Sequence, residues 1–273
     1  MRITPYTRKS LESNLKGETL SRFGLLAGQE SITPLRIAPD LNVVKIGGHG
    51  VIDYGSVAVN PLIDEIKALS AIYPMLIMTG GGARVRHIMD IGLDLGMPTG
   101  VLASLAGKIS EQNALMLSVL LSDVGGQSIS TSDILEVPNL LRQGVLPVTQ
   151  GTPPFGLFEV PPEKGMLPQY RTDCGALIAA EVLGAKSCIL VKNTAGLFDK
   201  NPFLCEDAEL IPSITTTELM DMNMDDMVME HKAVEILSHC RNLHEVKIVN
   251  GHNPGELTAV LCEGKAGTVV RRG

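Results

Sequence analysis

The 273-residue chain is 44% hydrophobic and 19% charged and holds 28 glycines, which excludes a disordered or fibrous protein and fits one large α/β domain or two small ones. A formal net charge of −7 argues against a duplex-binding or membrane-surface protein, so neither nucleic acid nor membrane is expected as a partner. Any anionic ligand must then be held by a local pocket against the overall field.

With no tryptophan and 3% aromatics, the core must be aliphatic, its gaps filled by methionine. Cys174, Cys188, Cys205, Cys240 and Cys262 are odd in number and scattered, with no CxxC spacing. That usage predicts reduced thiols in a cytoplasmic compartment. No apolar stretch reaches the length of a membrane span, and "MRITPYTRKSLESNLK" lacks the apolar centre of a signal peptide.

Residues 1–35 are polar and weakly periodic. Leu11, Leu15, Leu20, Phe23 and Leu26 allow a short amphipathic helix, read as an arm that packs on the body or on a neighbouring subunit; a mobile tail reads equally well. The remainder, 36–273, is expected to form a single domain, with an N-lobe over about 36–150, a C-lobe over about 151–273 and a loop around 131–170 as the seam. "LNVVKIG" is a continuous apolar run, as in a strand covered on both faces. "VAVNPLIDEIKALSAI" has helical spacing through Leu62, Ile63, Ile66 and Leu69. "YPMLIMTGGG" is a strand running into glycines. "ARVRHIMDIGLDLG" and "SEQNALMLSVLLSDVG" read as helices, the second capped by Ser110. "GVLPVTQG" is a strand, and the proline-rich "TPPFGLFEVPPEKGMLPQY" an insertion. "DCGALIAAEVLGA" is a helix opening at Asp173, "SCILVKN" a strand, "TTTELMDM" and "MVMEHKAVEILSHCRN" helices, and "EVKIVNG" a strand. "ELTAVLCEGKAGTVV" is expected to close the fold as an antiparallel pair. The alternation predicts a three-layer α/β/α sandwich around a mostly parallel sheet.

Two glycine clusters end two early strands: Gly47 and Gly48 after "VVKI", and Gly80, Gly81 and Gly82 after "MLIMT". Backbone without side chains at a strand's C-terminal end lets amide N–H groups converge on an anion, and a helix opening after Gly82 adds its positive end. Lys45 beside such a cradle is a point charge suited to polyphosphate. As plain tight turns, the same residues would leave Lys45 reaching for solvent. Neither GxxxxGK[ST] nor a helix-opening GxGxxG is present. Arg171 and Asp173 stand at a helix start, where Asp173 reads either as an N-cap or as a group that orients a lysine or a metal–phosphate complex. Lys192 ends a strand before a turn-rich loop with Asp199, Asn201 and Pro202. Arg84, Arg86 and His87 suit a tetrahedral oxyanion or subunit salt bridges. His231, Glu235 and His239 share a helix face, read as a metal site or as a solvated polar face. Asp225, Asp226 and Glu230 read as an acidic loop, without the glycine and spacing of a calcium loop.

"VVKIGG", "TGGG", "RTDCGALIAAEVLGAKSCILVKNTAGLFDKNP" and "VKIVNGHNPGELTAVLCEGKAGTVV" fall in an order that resembles the amino acid kinase superfamily over about 41–271. The resemblance implies the carbamate kinase-like fold and ATP with Mg2+ as ligands. Lys45, Gly47 and Gly48 would face the β- and γ-phosphates, and Gly80, Gly81 and Gly82 would flank the γ-phosphate or the acceptor side. Asp173 would lie near phosphates and metal, and Lys45, Asp173 and Lys192 would be catalytic. Arg171, Asn193, Gly196, Leu197, Phe198, Asp199, Asn201 and Pro202 would border the nucleotide. "VIDYG", "RVRH", "GLDLGMPTGVLASL", "LPQYRTD" and "VNGHNPGELT" resemble the molybdenum-storage branch of the superfamily. That branch implies molybdate or tungstate as cargo and a homo- or hetero-hexamer with a related subunit.

The uridylate kinase branch implies instead a small-molecule kinase acting on UMP or another acceptor, and a nucleotide-binding regulator without turnover is a third reading. Against UMP, "GVLASLAGKISEQNALML" has no acid between Gly100 and Glu111 where that branch carries a ribose-binding aspartate, and the turn after the glycines is changed to "GGGARVRH". The insertion "TPPFGLFEVPPEKG" lacks the histidines found in one storage subunit, so a partner subunit supplies them or the cargo site differs.

Overall fold

The computed structural model describes residues 33–153, 162–163, 165–224 and 226–273. The 11–26 segment, much of the proline-rich insertion and Asp225 lie outside the described residues.

The apolar runs form the centre of an eight-stranded sheet among the described residues. Its strands are β1 (Asn42–Ile46), β2 (Met75–Thr79), β3 (Gly126–Ser128), β4 (Leu146–Gln150), β5 (Ser187–Lys192), β8 (Ser213–Thr215), β9 (Glu245–Asn250) and β10 (Thr268–Arg271), in the order β3-β4-β2-β1-β5-β9-β10-β8. Every pairing is parallel except β9 with β10. A separate two-stranded hairpin joins β6 (Leu197–Phe198) to β7 (Leu210–Ile211).

Alternation along the strands sorts side chains between two cores. Val43, Leu76, Met78, Cys188, Leu190, Val246 and Ile248 face one core, with α5 (Thr172–Leu183), α6 (Thr216–Asp221) and α7 (His231–His239). Val44, Ile46, Met75, Ile77, Ile189, Val191 and Val249 face the other, with α1 (Ser56–Ser70), α3 (Thr99–Leu120) and α8 (Glu256–Cys262). The outcome is the expected three-layer α/β/α sandwich. The same parity governs the polar residues at the strand ends. Lys45 follows Val43 by two residues and Lys192 follows Leu190 by two, so both project toward the α5 layer.

Several element expectations are corrected. Ser110 caps nothing: the helix begins at Thr99 after Pro98, and Ser110 lies buried in its middle. Leu102 and Ala103 extend the buried face upstream. The 131–170 span is not a loop throughout; it holds a 3-10 turn (Thr131–Glu136), α4 (Val137–Arg142) and β4. "ELTAVLC" is helix α8 rather than a strand, because Leu257 and Val260, three apart, bury one helical face. The closing strand β10 does run antiparallel, against β9.

Leu177 is fully buried on α5, whereas Leu204 is 82% exposed. Leu177→Ala is expected to lower the unfolding free energy by about 3–5 kcal/mol, and Leu204→Ala to change it by less than about 0.5 kcal/mol. Urea denaturation of both variants checks the pair; equal losses would contradict this core assignment.

Candidate functional site: a glycine-walled cleft with a buried ion triad

The glycines sit where the parallel strands stop. Gly47 N–H donates to Val191 O at 2.9 Å, Gly80 N–H to Ile46 O at 2.9 Å and Gly151 N–H to Thr79 O at 2.8 Å. Each glycine thus continues a ladder by one step before the chain turns away. The two glycine loops then touch. A Cβ on Gly80 would lie 2.7 Å from Gly48 N, and one on Gly48 would overlap Gly82 N. Gly82 also has φ +76°, a left-handed conformation that strongly favours glycine.

α2 (Ala83–Asp94) opens immediately afterwards, as expected, yet its positive end is partly taken. Ala83 N–H donates to Asp53 Oδ2 at 2.6 Å. Asp53 comes from the short 3-10 turn Ile52–Tyr54 and was not foreseen as a cap.

Beneath the loops lies an ion triad. Lys192 Nζ donates to Asp173 Oδ2 at 2.6 Å. Lys45 Nζ stands 2.8 Å from Asp173 Oδ1, a close ionic contact whose direction is off a hydrogen bond, since Oδ1 has no directed donor. The side chains are 5%, 1% and 12% exposed for Lys45, Asp173 and Lys192. Burial alone would push the Asp173 carboxyl up, but the Lys192 and Lys45 ammonium groups outweigh it and hold the acid well below the usual carboxylate range. Lys192 moves down, because burial disfavours its charge by more than Asp173 restores and Lys45 adds repulsion. Within the triad two ammonium groups meet one carboxylate, which puts positive groups where an anion would enter the cleft; the Glu230 carboxylate, whose charge also acts on Lys192, is taken up by backbone N–H groups.

Asp173 does not cap its helix. Arg171 is the N-cap residue, and the amide groups at this end are satisfied from another element. Glu230 accepts from the N–H groups of Arg171 at 3.2 Å, Asp173 at 3.0 Å and Cys174 at 3.2 Å. Glu230 N–H in turn donates to Asp173 Oδ2 at 3.3 Å. Reading Glu230 as part of an acidic loop missed this, because its partners are more than fifty residues away. Desolvation, then the charge of Glu230, pushes the buried Cys174 thiol up, so it is no nucleophile.

The cleft encloses about 640 Å³. Of the expected residues, Lys45, Gly47, Gly48, Gly80, Gly81, Gly82, Arg171, Asp173, Lys192, Asn193, Gly196, Leu197, Phe198, Asn201 and Pro202 line it. Asp199 is not brought in; it is exposed and closes the β6–β7 hairpin, accepting from Glu209 N–H at 2.7 Å. Arg86 lines the cleft, while Arg84 is tied to Gln112 and Asn113 on α3 and His87 stands outside. Glu235 pairs with Lys232 at 2.8 Å, and no group of three metal-ligating side chains, around His231 and His239 or elsewhere, occurs among the described residues.

The described carboxylates lining the cleft have protein partners. Both Asp173 oxygens face lysines, Glu230 is filled by backbone N–H groups, and Asp226 accepts from Asn201 Nδ2 at 2.9 Å. Of the two functional readings of Asp173, the one that orients a lysine describes its contacts here.

Three further lining features were missed: the hydroxyl groups of Ser110 and Thr152, and the exposed ring of Phe203. Another was His252, which does not line the cleft but whose Nε2 lies 2.6 Å from Gly50 O, with its ring edge-on to Tyr54 at 4.6 Å.

Residues 40–250 match the amino acid kinase family. The chain is 38% identical over 260 residues to the molybdenum storage protein subunit beta of Azotobacter vinelandii, covering 95% of this chain and 96% of that one. It is 24% identical over 236 residues to the uridylate kinase of Methanobrevibacter smithii, covering 84% and 97%. Among solved structures, uridylate kinase from Archaeoglobus fulgidus superposes with a TM-score of 0.65 at 19% identity, over 84% of this chain and 99% of that one. A family match over most of the chain and a near full-length relative at 38% identity agree: the chain belongs to the amino acid kinase family.

Proposed function

We propose that the chain binds ATP in the glycine-walled cleft and serves as a subunit of a molybdenum or tungsten storage assembly, with ATP hydrolysis driving deposition of the oxoanion. The nucleotide half rests on the Lys45–Asp173–Lys192 triad under the amide loops. The cargo half rests on the near full-length relative named as a molybdenum storage subunit.

In this reading the triphosphate tail lies along Gly47, Gly48 and Gly80–Gly82, where the Gly47 and Gly80 N–H groups continue the sheet and those of Gly48, Gly81 and Gly82 are left to meet the phosphates. Lys45 and Lys192 offset the charge that builds on the β–γ bridging and terminal oxygens as the γ-phosphoryl leaves. Asp173 keeps both ammonium groups in place at the moment of reaction. Such catalysis is positioning and preorganised charge rather than covalent chemistry. Leu197, Phe198 and Pro202 give the adenine an apolar wall. Mg2+ would arrive on the phosphates, because the cleft's described carboxylates are occupied. A related partner subunit, a hexameric cage, the N-terminal arm as an intersubunit contact and a cytoplasmic location belong to the same proposal. No described helix is long and apolar enough to cross a membrane.

The second reading is a kinase of the uridylate type, favoured by the shared fold. The cleft-facing side of α3 weighs against UMP: it presents Ala103, Ala106 and Ser110 and no carboxylate.

Two outcomes are expected of metal content and turnover. Protein from cells grown with molybdate should carry molybdenum in excess of one atom per chain by elemental analysis. Metal-free protein that phosphorylates UMP would overturn the storage reading. Lys45→Ala should lose about 10²-fold in ATP turnover, as when one preorganised donor is removed; near-normal hydrolysis would refute the nucleotide assignment.

Asp173→Asn should cost about 3–5 kcal/mol of stability at neutral pH, because two buried ammonium groups lose their counter-ion. The sign follows from linkage. Asp173, with its folded pKa depressed, contributes stability that is present above the ordinary carboxylate pKa and is lost as pH falls through the lower folded value. Lys192, also depressed, makes the folded state bind fewer protons than the unfolded one in the alkaline range, so stability there rises with pH. Asp173 raises Lys192 toward its ordinary value, so its loss depresses Lys192 further and the variant gains more with rising pH than the wild type does; the deficit of Asp173→Asn should shrink between about pH 7 and about pH 10, near the ordinary lysine pKa. Urea unfolding at the two pH values measures this, and an unchanged deficit would contradict it.

A further inference from the structure

The turn from Gly47 to Gly50 has a single side chain, that of His49, and all four residues line the cleft. Glycine keeps more backbone freedom than any other residue, so N–H groups on such a turn face a ligand steadily only if something outside fixes them. The peptide unit is planar, so a carbonyl that is held also fixes the N–H of the next residue. Ile52 N–H donates to Gly47 O at 3.1 Å, and Asp53 N–H to Gly48 O at 2.9 Å. The first of these bonds orients the plane that carries Gly48 N–H, one of the groups left to meet phosphate. Val51 and Ile52 are seated in the core below. The freedom that remains lies in His49 and Gly50.

Gly50 O is held by a side chain from far along the sequence. His252 Nε2 lies 2.6 Å from it. A carbonyl only accepts, so the imidazole donates and carries a proton on Nε2. His252 itself does not line the cleft; it acts through Gly50.

The support behind His252 is fixed at several points. The residue stands in the loop between β9 and α8. Gly251 N–H donates to Lys192 O at 2.7 Å, and the loop comes so close that a Cβ on Gly251 would meet Val191 Cγ1 at 2.6 Å and Val51 Cγ2 at 3.0 Å. Asn250 Oδ1 accepts from His252 N–H at 3.0 Å, and Asn250 N–H donates to Glu256 Oε2 at 2.7 Å. Glu65 on α1 accepts from Gly255 N–H at 2.6 Å and from Thr258 N–H at 3.0 Å. Tyr54, just beyond the glycine turn, meets the imidazole edge-on at 4.6 Å. The ring is held from behind and beside, as a fixed donor is, rather than left to swing on the surface.

We propose that His252 is a positioning residue for the phosphate chain of the nucleotide: its bond to Gly50 O locks the glycine turn in the shape that presents Gly48 N–H to the cleft. The inference rests on the proposed binding of ATP there. Because Gly251 is bonded to Lys192 O, one loop ties the glycine turn to the strand that carries a triad lysine. Amide and ammonium groups are then kept at one spacing before the ligand arrives, which removes an ordering cost from binding. The neutral ring with its proton on Nε2 and the doubly protonated ring both donate, so the lock needs no particular charge on His252.

The experiment compares the full chain with His252→Phe, which keeps a ring beside Tyr54 and loses the donor, and with His252→Gln, which supplies an amide donor. A non-hydrolysable ATP analogue and AMP are titrated into each. His252→Phe should bind the analogue about fivefold more weakly, as for the loss of one hydrogen bond, with AMP affinity unchanged, since AMP lacks the β- and γ-phosphates. His252→Gln should stay within about twofold of the wild type. The wild-type ring gives a second measurement that needs no variant: its nitrogen NMR spectrum should show the neutral form protonated on Nε2.

Equal analogue affinity in the wild type and His252→Phe would overturn the assignment, as would a neutral ring protonated on Nδ1. Equal losses for the analogue and AMP would do the same, because they would mark a general loosening of the fold. A wild-type chain that binds no analogue removes the nucleotide reading and this inference with it. One that binds the analogue tightly whatever stands at 252 removes only the role of His252.

Discussion

One buried carboxylate between two buried ammonium groups organises this protein. Asp173, Lys45 and Lys192 come from a helix and two neighbouring strands, and their charges are nearly excluded from water. A pair of lysines so placed would repel each other and carry a large desolvation penalty without the carboxylate. The carboxylate would in turn be neutralised by burial without the lysines. Each group is charged because the others are, and the set still carries one positive charge more than it balances. A protein with a net charge of −7 thereby keeps a local field of opposite sign at the one edge of the sheet where bare backbone can approach an anion.

Much of this was legible because it follows from periodicity. Residues 43, 44, 45 and 46 alternate between the two cores, so Lys45 had to point toward one helix layer. The two lysines share that layer with Asp173 for the same reason of parity, and the glycines after β1 and β2 mark where the strands stop. The parallel β1–β5 pairing then sets the two lysine positions near each other. Strand spacing, two glycine clusters and Lys45 beside one of them carried the expectation of an anion site, and the family resemblance added which anion.

What escaped the sequence depends on contacts between distant segments. Glu230 looks like one acid among several in "DDMVME", yet it satisfies the amide groups at the start of α5 from fifty-six to fifty-nine residues away. Asp53 likewise fills Ala83 N–H at a helix end that the glycine pattern made seem open. A capping residue inside its own helix has a local signature, whereas a cap supplied from elsewhere has none. Asp199 erred in the opposite direction: its loop resembles a nucleotide-binding segment, but the hairpin register turns that side chain toward Glu209. The helical fate of "ELTAVLC" was hidden because a seven-residue apolar run fits either period until its neighbours are known.

The distribution of polar satisfaction carries the last step. Throughout the described core, buried polar side chains find partners: Asn42 bonds Pro74 and Ser187, Asn113 bonds Gly80, and Thr268 bonds Ile211. A buried hydroxyl without a partner costs about 1–3 kcal/mol, and replacing it with a methyl group removes that cost. Two such hydroxyl groups are those of Ser110 and Thr152. Among the described residues the unsatisfied buried polar atoms all belong to residues lining the cleft, and so the cost of leaving polar groups without partners falls on the same wall that shapes it.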